Sequence, residues 1–453
     1  GVIDTGIDIF DNAFRNSDGT TRILNIYDQT TGEKYDKQSI DEYIRLNEDL
    51  SGGTFSYDNA PGVDNIMHGT DVSYIAAGSL GVAYEADIIA VKMGYSINNQ
   101  FPRTTSLMDA IDYIIRKAIE YRKPVAVNIS YGCNYGAHNG NTLLESFIDD
   151  ISKSYRCVIC VGSGNEADKA IHFGGIINTG QVQTAYLSVG EYQSAIDIQI
   201  WKNYWDTIDV MLINPRGEQI GIITEGRINR YETYNTEIIT LLGEPSPYNI
   251  YQEIYINLIP KTDYILSGIW QIVLMAGSIR AGEYNIWLPS SQALGYATAF
   301  NNPTADGTIT IPATARNCIA VGAYNAYTNS YAAFSGRGFD NSIRNVNAGV
   351  KPDITAPGVD ISIARQRGND ITYRNVTGTS YAVPVVTGAA ALLMQWGIVM
   401  GNDRFMYGEK LKAALIDGSK PVGLVGITRN DNQPDPRTGW GAVCLKNTLN
   451  KIL

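Results

Sequence analysis

The sequence predicts an α/β protein: a parallel sheet with helices on both faces, interrupted by an inserted β-sandwich of jelly-roll-like character. Three observations predict it. Short apolar runs alternate with helical segments toward both ends of the chain, as parallel strands joined by covering helices do. Between about 180 and 302 that pattern gives way to period-two alternation. The 453 residues suffice for one large domain and a smaller one.

The elements follow in chain order. Gly1-Val-Ile-Asp4 reads as a short buried strand ending in an acid and a turn. A polar stretch from about 11 to 65 contains a short helix from Ser39 to Leu46, with Ser39 as its cap and Glu42 closing a capping box. Met67-His-Gly-Thr-Asp-Val72 opens a helix of small residues. Then come a strand at 86–92, a helix at 107–121, a strand at 125–130, a helix at 143–154 and a strand at 156–162. In the middle, Ala195 to Lys202, Glu253 to Leu258 and Trp270 to Leu274 alternate with period two, and Asn214-Pro-Arg-Gly217 marks a turn. The α/β pattern resumes at Thr308. The expected domains are therefore 1–179 with 303–453, and the insert 180–302. Near the end, Gly378-Thr379 make a tight turn and Ser380 opens a helix. Pro384 lies near that helix start, where a missing N–H costs little.

Composition narrows the function. A net charge of -11 argues against nucleic acid and gives no support for binding anionic membranes. The longest apolar stretches are interrupted by Gly, Pro or charge, so no membrane span is expected. The five cysteines cannot all pair, and Cys157 and Cys160 sit in one buried strand, where zinc or redox chemistry lacks a second pair. They are expected as buried free thiols.

Taken singly, the polar residues of the turns have ordinary readings. Ser380 could be a helix cap, Asp4 a turn residue, His68 a cap and Asn165 a loop residue. Taken together they occur as Asp4-Thr-Gly6, His68-Gly-Thr70, Val161-Gly-Ser-Gly-Asn165 and Gly378-Thr-Ser380. Gly81-Val-Ala-Tyr-Glu-Ala-Asp87, Lys351-Pro-Asp-Ile-Thr-Ala-Pro-Gly358 and Gly439-Trp-Gly441 accompany them. In these motifs and in their Asp, His, Ser order, across most of its length, the chain resembles the subtilisin-like serine proteases. With its inserted β-domain and long Tyr27-Asp-Gln-Thr spacer it looks like the Csp-type members of clostridial spore germination.

The resemblance implies a subtilisin-like fold and a serine endopeptidase. It implies Ser380 as nucleophile, His68 as base, Asp4 as its orienting carboxylate and Asn165 as oxyanion donor. Substrate would lie as an extended strand against Ser130, Tyr131 and Gly132, with Ser163 and Gly164 framing the pocket for the residue before the scissile bond. No cofactor is required, and a structural calcium ion has no assigned ligands. Expected partners are a protein or peptide substrate and the enzyme's own cleaved propeptide. Because Gly1 falls inside a strand, upstream residues including that propeptide are expected to be missing here. A secreted or spore-surface location follows from the same likeness.

The chain departs from the family in Asp71, Tyr74 and Tyr381, which stand where the family often has a second histidine, a small residue and methionine. His138 and His172 lack motif flanks and read as surface or loop residues, with a pocket role open for His172. Two other readings compete. A regulatory pseudoprotease would normally have lost Asp4, His68 or Ser380. An α/β esterase would need G-x-S-x-G around Ser380, which is absent.

Overall fold

The computed structural model describes residues 1–50, 60–94, 103–223, 228–244, 249–339, 350–367, 370–423 and 434–453. The chain divides into two compact units: Gly1–Gly132, Leu143–Asn165 and Pro312–Leu453 form the first, Cys133–Thr142 and Glu166–Ile311 the second. The second is wider than the 180–302 expected from periodicity. It takes in a strand just after Asn165 and a separate short segment before Leu143, neither of which alternates strongly enough to show.

In the first unit the strands are β1 (Val2–Asp4), β2 (Ile23–Asp28), β3 (Glu33–Asp36), β4 (Ile88–Lys92), β5 (Val125–Ile129) and β6 (Cys157–Gly162). The helices between them are α1 (Lys37–Leu50), α2 (His68–Ala77), α3 (Thr104–Tyr121) and α4 (Leu143–Ser154). The cap of α1 is Asp36, whose carboxylate accepts Ser39 N at 2.9 Å and also its hydroxyl. Ser39 is thus inside the first turn, and the expected Ser39–Glu42 box gives way to an aspartate three residues earlier.

The second unit carries β7 (His172–Ile176), β8 (Val182–Val189), β9 (Ile196–Asn203), β10 (Ile208–Ile213), β11 (Gln219–Ile222), β12 (Ile228–Glu232), β13 (Thr236–Leu242), β14 (Tyr251–Pro260), β15 (Gly268–Ala276), β16 (Glu283–Trp287) and β17 (Ala299–Phe300). They form two antiparallel sheets, ordered β11-β10-β15-β8-β17 and β12-β13-β14-β9-β16-β7. Alternate residues of both sheets, among them Ile198, Ile200, Val210, Ile256, Ile272 and Leu274, share one core. Each such side chain contributes about 1.5–3 kcal/mol on burial. His138 and His172 belong to this unit and are buried, not on its surface. Both rings stack on Trp287, at centroid distances of 4.1 and 4.9 Å. Burial pushes the His138 pKa down to about 4.

The first unit resumes with β18 (Ile319–Asn325), β19 (Ser330–Tyr331), β20 (Ile354–Pro357), β21 (Ile361–Arg367) and β22 (Asp370–Val376), then α5 (Thr379–Met394), α6 (Gly408–Asp417) and α7 (Leu445–Ile452). Its main sheet runs β19-β18-β6-β5-β1-β4-β2-β3, with β20 also on β18. The central pairs are parallel. Helix cover on both faces explains why β4, β5 and β6 are buried along their whole length and read as unbroken apolar runs. Cys157 and Cys160 are fully buried in β6, and burial pushes both thiols up to about 12.

One buried ionic knot pins β20. Asp353 accepts Lys351 Nζ at 2.7 Å, Lys412 Nζ at 2.7 Å and the Ala320 N–H at 2.8 Å. Burial alone would raise the Asp353 pKa, but the two ammonium groups hold it below the usual carboxylate value.

Helix α5 lies against α2, β5, β6, β18 and β20. With the π-turn after it, Thr379–Val399 is long and apolar enough to cross a membrane, at a mean hydropathy of 1.7. The sequence reading found no such run. Here 61% of that window is buried, as in the core helix of a folded domain.

Candidate active site

The site is assembled where β1 meets α2 and where β5 meets α5. Asp4 ends β1, 1% exposed, and its Oδ1 lies 2.6 Å from His68 Nδ1. The same oxygen accepts Thr5 N at 2.8 Å. The close approach of the two motif turns depends on Gly69, where a Cβ would stand 2.3 Å from Gly6 O.

The small polar residues of these turns cap α2. Gly69 N donates to Thr5 Oγ1 at 2.9 Å, and Thr70 N to Asp64 Oδ2 at 2.8 Å. Thr70 Oγ1 donates to that carboxylate and accepts Asp8 N at 3.0 Å. Asp64 also takes Thr5 Oγ1 and Met67 N, each at 2.8 Å. It is the organising carboxylate of the helix start, and sequence reasoning missed it. The only signal was an acid four residues before His68.

His68 feels opposing pulls. Burial lowers its pKa, but the Asp4 carboxylate, with Asp64 and Asp71 behind it, outweighs burial and leaves the net shift upward. The charged form of His68 is therefore favoured.

Ser380 is the second residue of α5. Its Oγ hydrogen-bonds Ser130 O at 3.5 Å, and no Ser380–His68 hydrogen bond exists among the described residues. Pro384 lies five positions past Thr379, beyond the turn whose N–H groups are free anyway. Its missing N–H therefore leaves Ser380 O without its helical donor, contrary to the low cost expected from sequence. Ser130 Oγ supplies the bond at 3.1 Å. Asn128 Nδ2 in turn donates to Ser130 Oγ at 2.9 Å, which leaves the hydroxyl proton for Ser380 O.

Asn165 follows β6. Its Oδ1 accepts Thr379 N at 2.9 Å and Thr379 Oγ1 at 3.0 Å. A backbone N–H can only donate, so the amide orientation is fixed and Nδ2 faces the other way. An amide N–H is thus presented beside the Gly378-Thr379-Ser380 turn.

Ser130, Tyr131 and Gly132 continue directly from β5, and Ser163 and Gly164 directly from β6, the adjacent parallel strand. Ser163 is fully buried, its Oγ 3.3 Å from Ser335 Oγ. Gly164 O is taken by Gly336 N at 2.9 Å. These two, expected to frame the pocket for the residue before the scissile bond, are thus tied to Ser335 and Gly336. Among the described residues no group of three or more His, Cys, Asp or Glu could hold a metal ion.

Comparison with known proteins gives a consistent picture. The model of the subtilase family matches residues 1–246 and 281–441. The chain is similar to the Clostridium perfringens CspB protease structure, with 33% identity and a TM-score of 0.88, covering 100% of this chain and 92% of that one. It is 33% identical over 128 residues to the subtilase-type proteinase RRT12 of Saccharomyces cerevisiae, 28% of this chain and 23% of that protein. Subtilisin E of Bacillus subtilis is 38% identical over 107 residues, 23% of this chain and 24% of that protein. The chain thus spans about a quarter of the length of these two curated relatives.

Proposed function

The chain belongs to the subtilase family, and on that premise we propose that it is a serine endopeptidase acting through Asp4, His68 and Ser380. The observation that carries this reading is the 2.6 Å Asp4–His68 pair, built by the two motif turns at the mouth of α2. With Nδ1–H given to Asp4, Nε2 is left as the base. Ser380 Oγ leaves Ser130 O, passes its proton to Nε2 and attacks the scissile carbonyl. Such hydrogen bonds are often long before substrate binds. His68 then returns the proton to the leaving amine, and Asp4 stabilises the imidazolium between the two steps. The developing oxyanion is met by Asn165 Nδ2 and the Ser380 N–H at the positive end of α5. The peptide adds as a strand along Ser130 to Gly132, the β-augmentation mode.

Under the same reading the enzyme cleaves its own propeptide and then a protein substrate outside the cell or at a spore surface. The insert supplies no catalytic group. Retention of all three reactive residues weighs against a pseudoprotease. A fluorophosphonate should label Ser380, and Ser380→Ala should abolish both labelling and peptide hydrolysis. Hydrolysis above background in Ser380→Ala would refute the assignment. In the full-length gene product, wild type should yield two fragments and Ser380→Ala one uncut chain.

A further inference from the structure

Asp71, Tyr74 and Tyr381, the departures noted in the sequence, converge on one hairpin. Strands β21 and β22 pair antiparallel, with Ile363 opposite Arg374 and Arg365 opposite Thr372. Arg365 and Arg374 are therefore diagonal neighbours on one face. That face also carries Ile363, which is fully buried in the hydrophobic cluster to which Tyr74, Ile75, Tyr381 and Val385 also belong.

Both arginines are spent on Asp71, which is fully buried on the first turn of α2. Arg365 Nε donates to Asp71 Oδ1 at 3.0 Å, and its Nη2 bridges the same oxygen and Met67 O, the latter at 3.0 Å. Arg374 takes the other carboxylate oxygen. Met67 precedes His68 directly and stands in the left-handed region, at φ 69°. Its carbonyl also accepts Asp71 N at 3.2 Å. The Arg365 fork thus closes the one turn of α2 that carries His68. One turn further along α2, Tyr74 belongs to the same hydrophobic cluster as Ile363 and Ala364 of β21. On the other side the positive charge of Arg374 acts on the phenol of Tyr381, the neighbour of Ser380, against the burial that raises that phenol's pKa; the Tyr381 ring is 5.4 Å from that of His68.

We propose that this hairpin is a positioning device for the catalytic pair, in which Arg365 and Arg374 grip Asp71 and so hold the first turns of α2 and α5, with His68 and Ser380, in register. The proposal rests on His68 as base and Ser380 as nucleophile. None of the described hairpin residues hydrogen-bonds the His68 ring or Ser380 Oγ. Planar guanidinium forks suit this task because each fixes direction as well as charge. Arg365 makes three contacts from two nitrogens of one rigid plane, Nε and Nη2 to Asp71 Oδ1 and Nη2 to Met67 O, whereas a lysine has a single nitrogen and cannot occupy both positions. Arg374 offers a single strong contact to Asp71, which a lysine can reproduce.

The test uses the full chain and a chromogenic peptide substrate, at a temperature where each variant is folded. Arg365→Met and Arg374→Met should each lower kcat at least tenfold with KM within about twofold. Arg374→Lys should restore most of the rate and Arg365→Lys little of it. Asp71→Asn combined with Arg374→Met should lose no more than the worse single variant. Unchanged kcat in variants that merely melt earlier would overturn the proposal, as would full rescue by both lysines. A second readout needs no proteolysis. The chain has only 3 histidines, so the low-field Nδ1–H signal of His68 on Asp4 can be assigned by NMR in Ser380→Ala protein. Arg365→Met in that background should broaden or erase it, and Arg365→Lys serves if that variant does not fold. A signal that persists unchanged overturns positioning, whereas a wild-type chain that neither hydrolyses nor labels overturns the protease reading.

Discussion

Ser130→Ala should destabilise the protein through a carbonyl some 250 residues away. Pro384 cannot give its N–H to Ser380 O, and Ser130 Oγ fills the gap at 3.1 Å. Removing that hydroxyl strands Ser380 O and also leaves fully buried Asn128 Nδ2 without its 2.9 Å acceptor. An orphaned polar group costs about 1–3 kcal/mol. Ser380 O is only part-buried and water can reach it in part, so its share falls at the low end, about 1–2 kcal/mol. The decisive comparison is a double-mutant cycle with Pro384→Ala, which restores a backbone N–H able to reach Ser380 O. Ser130→Ala should then cost about 1 kcal/mol less than it does beside Pro384. Urea unfolding at equilibrium, in Ser380→Ala protein to prevent self-cleavage, measures all four corners. Effects that add to within about 0.3–0.5 kcal/mol would refute the reasoning.

Three further outcomes are expected. Asn165→Ala should lower kcat roughly 10²–10³-fold with little change in KM, as loss of the oxyanion-hole asparagine does in subtilisin. The acid limb of kcat/KM should sit above pH 6.5, because the base must be neutral and the net shift of His68 from 6.5 is upward; Asp4→Asn should move it down, burial then prevailing. The same shift stabilises the fold below pH 6.5, and that contribution disappears as pH rises through the folded value. Asp353→Asn should cost about 3–5 kcal/mol at neutral pH by leaving the buried Lys351 ammonium and the partly buried Lys412 ammonium without their carboxylate. Because the Asp353 pKa is lowered, its contribution is present above the unfolded value near 3.8 and lost as pH falls through the folded one. Thermal melts of wild type and variant should converge on acidification, and parallel curves down to pH 2 would count against the pairing.

The strands and helices of the first unit were legible because both patterns are local. Val125–Ile129 and Cys157–Gly162 are unbroken apolar runs, and α3 buries one stripe, from Leu107 through Ala110, Ile111 and Ile114 to Ala118. The residues now forming the site were legible as motifs because each sits in a turn whose small residues have a local job. Gly69 lets α2 approach β1, and Thr5 and Thr70 cap it. What sequence did not show depends on partners far along the chain. Asp71 meets Arg365 and Arg374 roughly 300 positions away. Ser130 was expected to face substrate through its backbone, yet its hydroxyl serves Ser380. His138 and His172 looked superficial because nothing in their flanks reports that Trp287 will lie against both rings.

The site itself is held by groups that a stability argument alone would not select. Asp4 is buried, yet its Oδ2 has no hydrogen-bond partner among the described residues. Its bonds from His68 Nδ1 and Thr5 N both fall on Oδ1, and burying this charge beside His68 costs folding free energy. Met67, left-handed without being glycine, adds a second cost on the order of 1–3 kcal/mol beside the imidazole. Both are offset nearby. Asp64 accepts from Thr5, Ile66, Met67 and Thr70, and the two arginines close the same turn from the other side. Strain and its restraint thus occupy one helical turn, the turn that aims His68 Nδ1 at Asp4 and leaves Nε2 open.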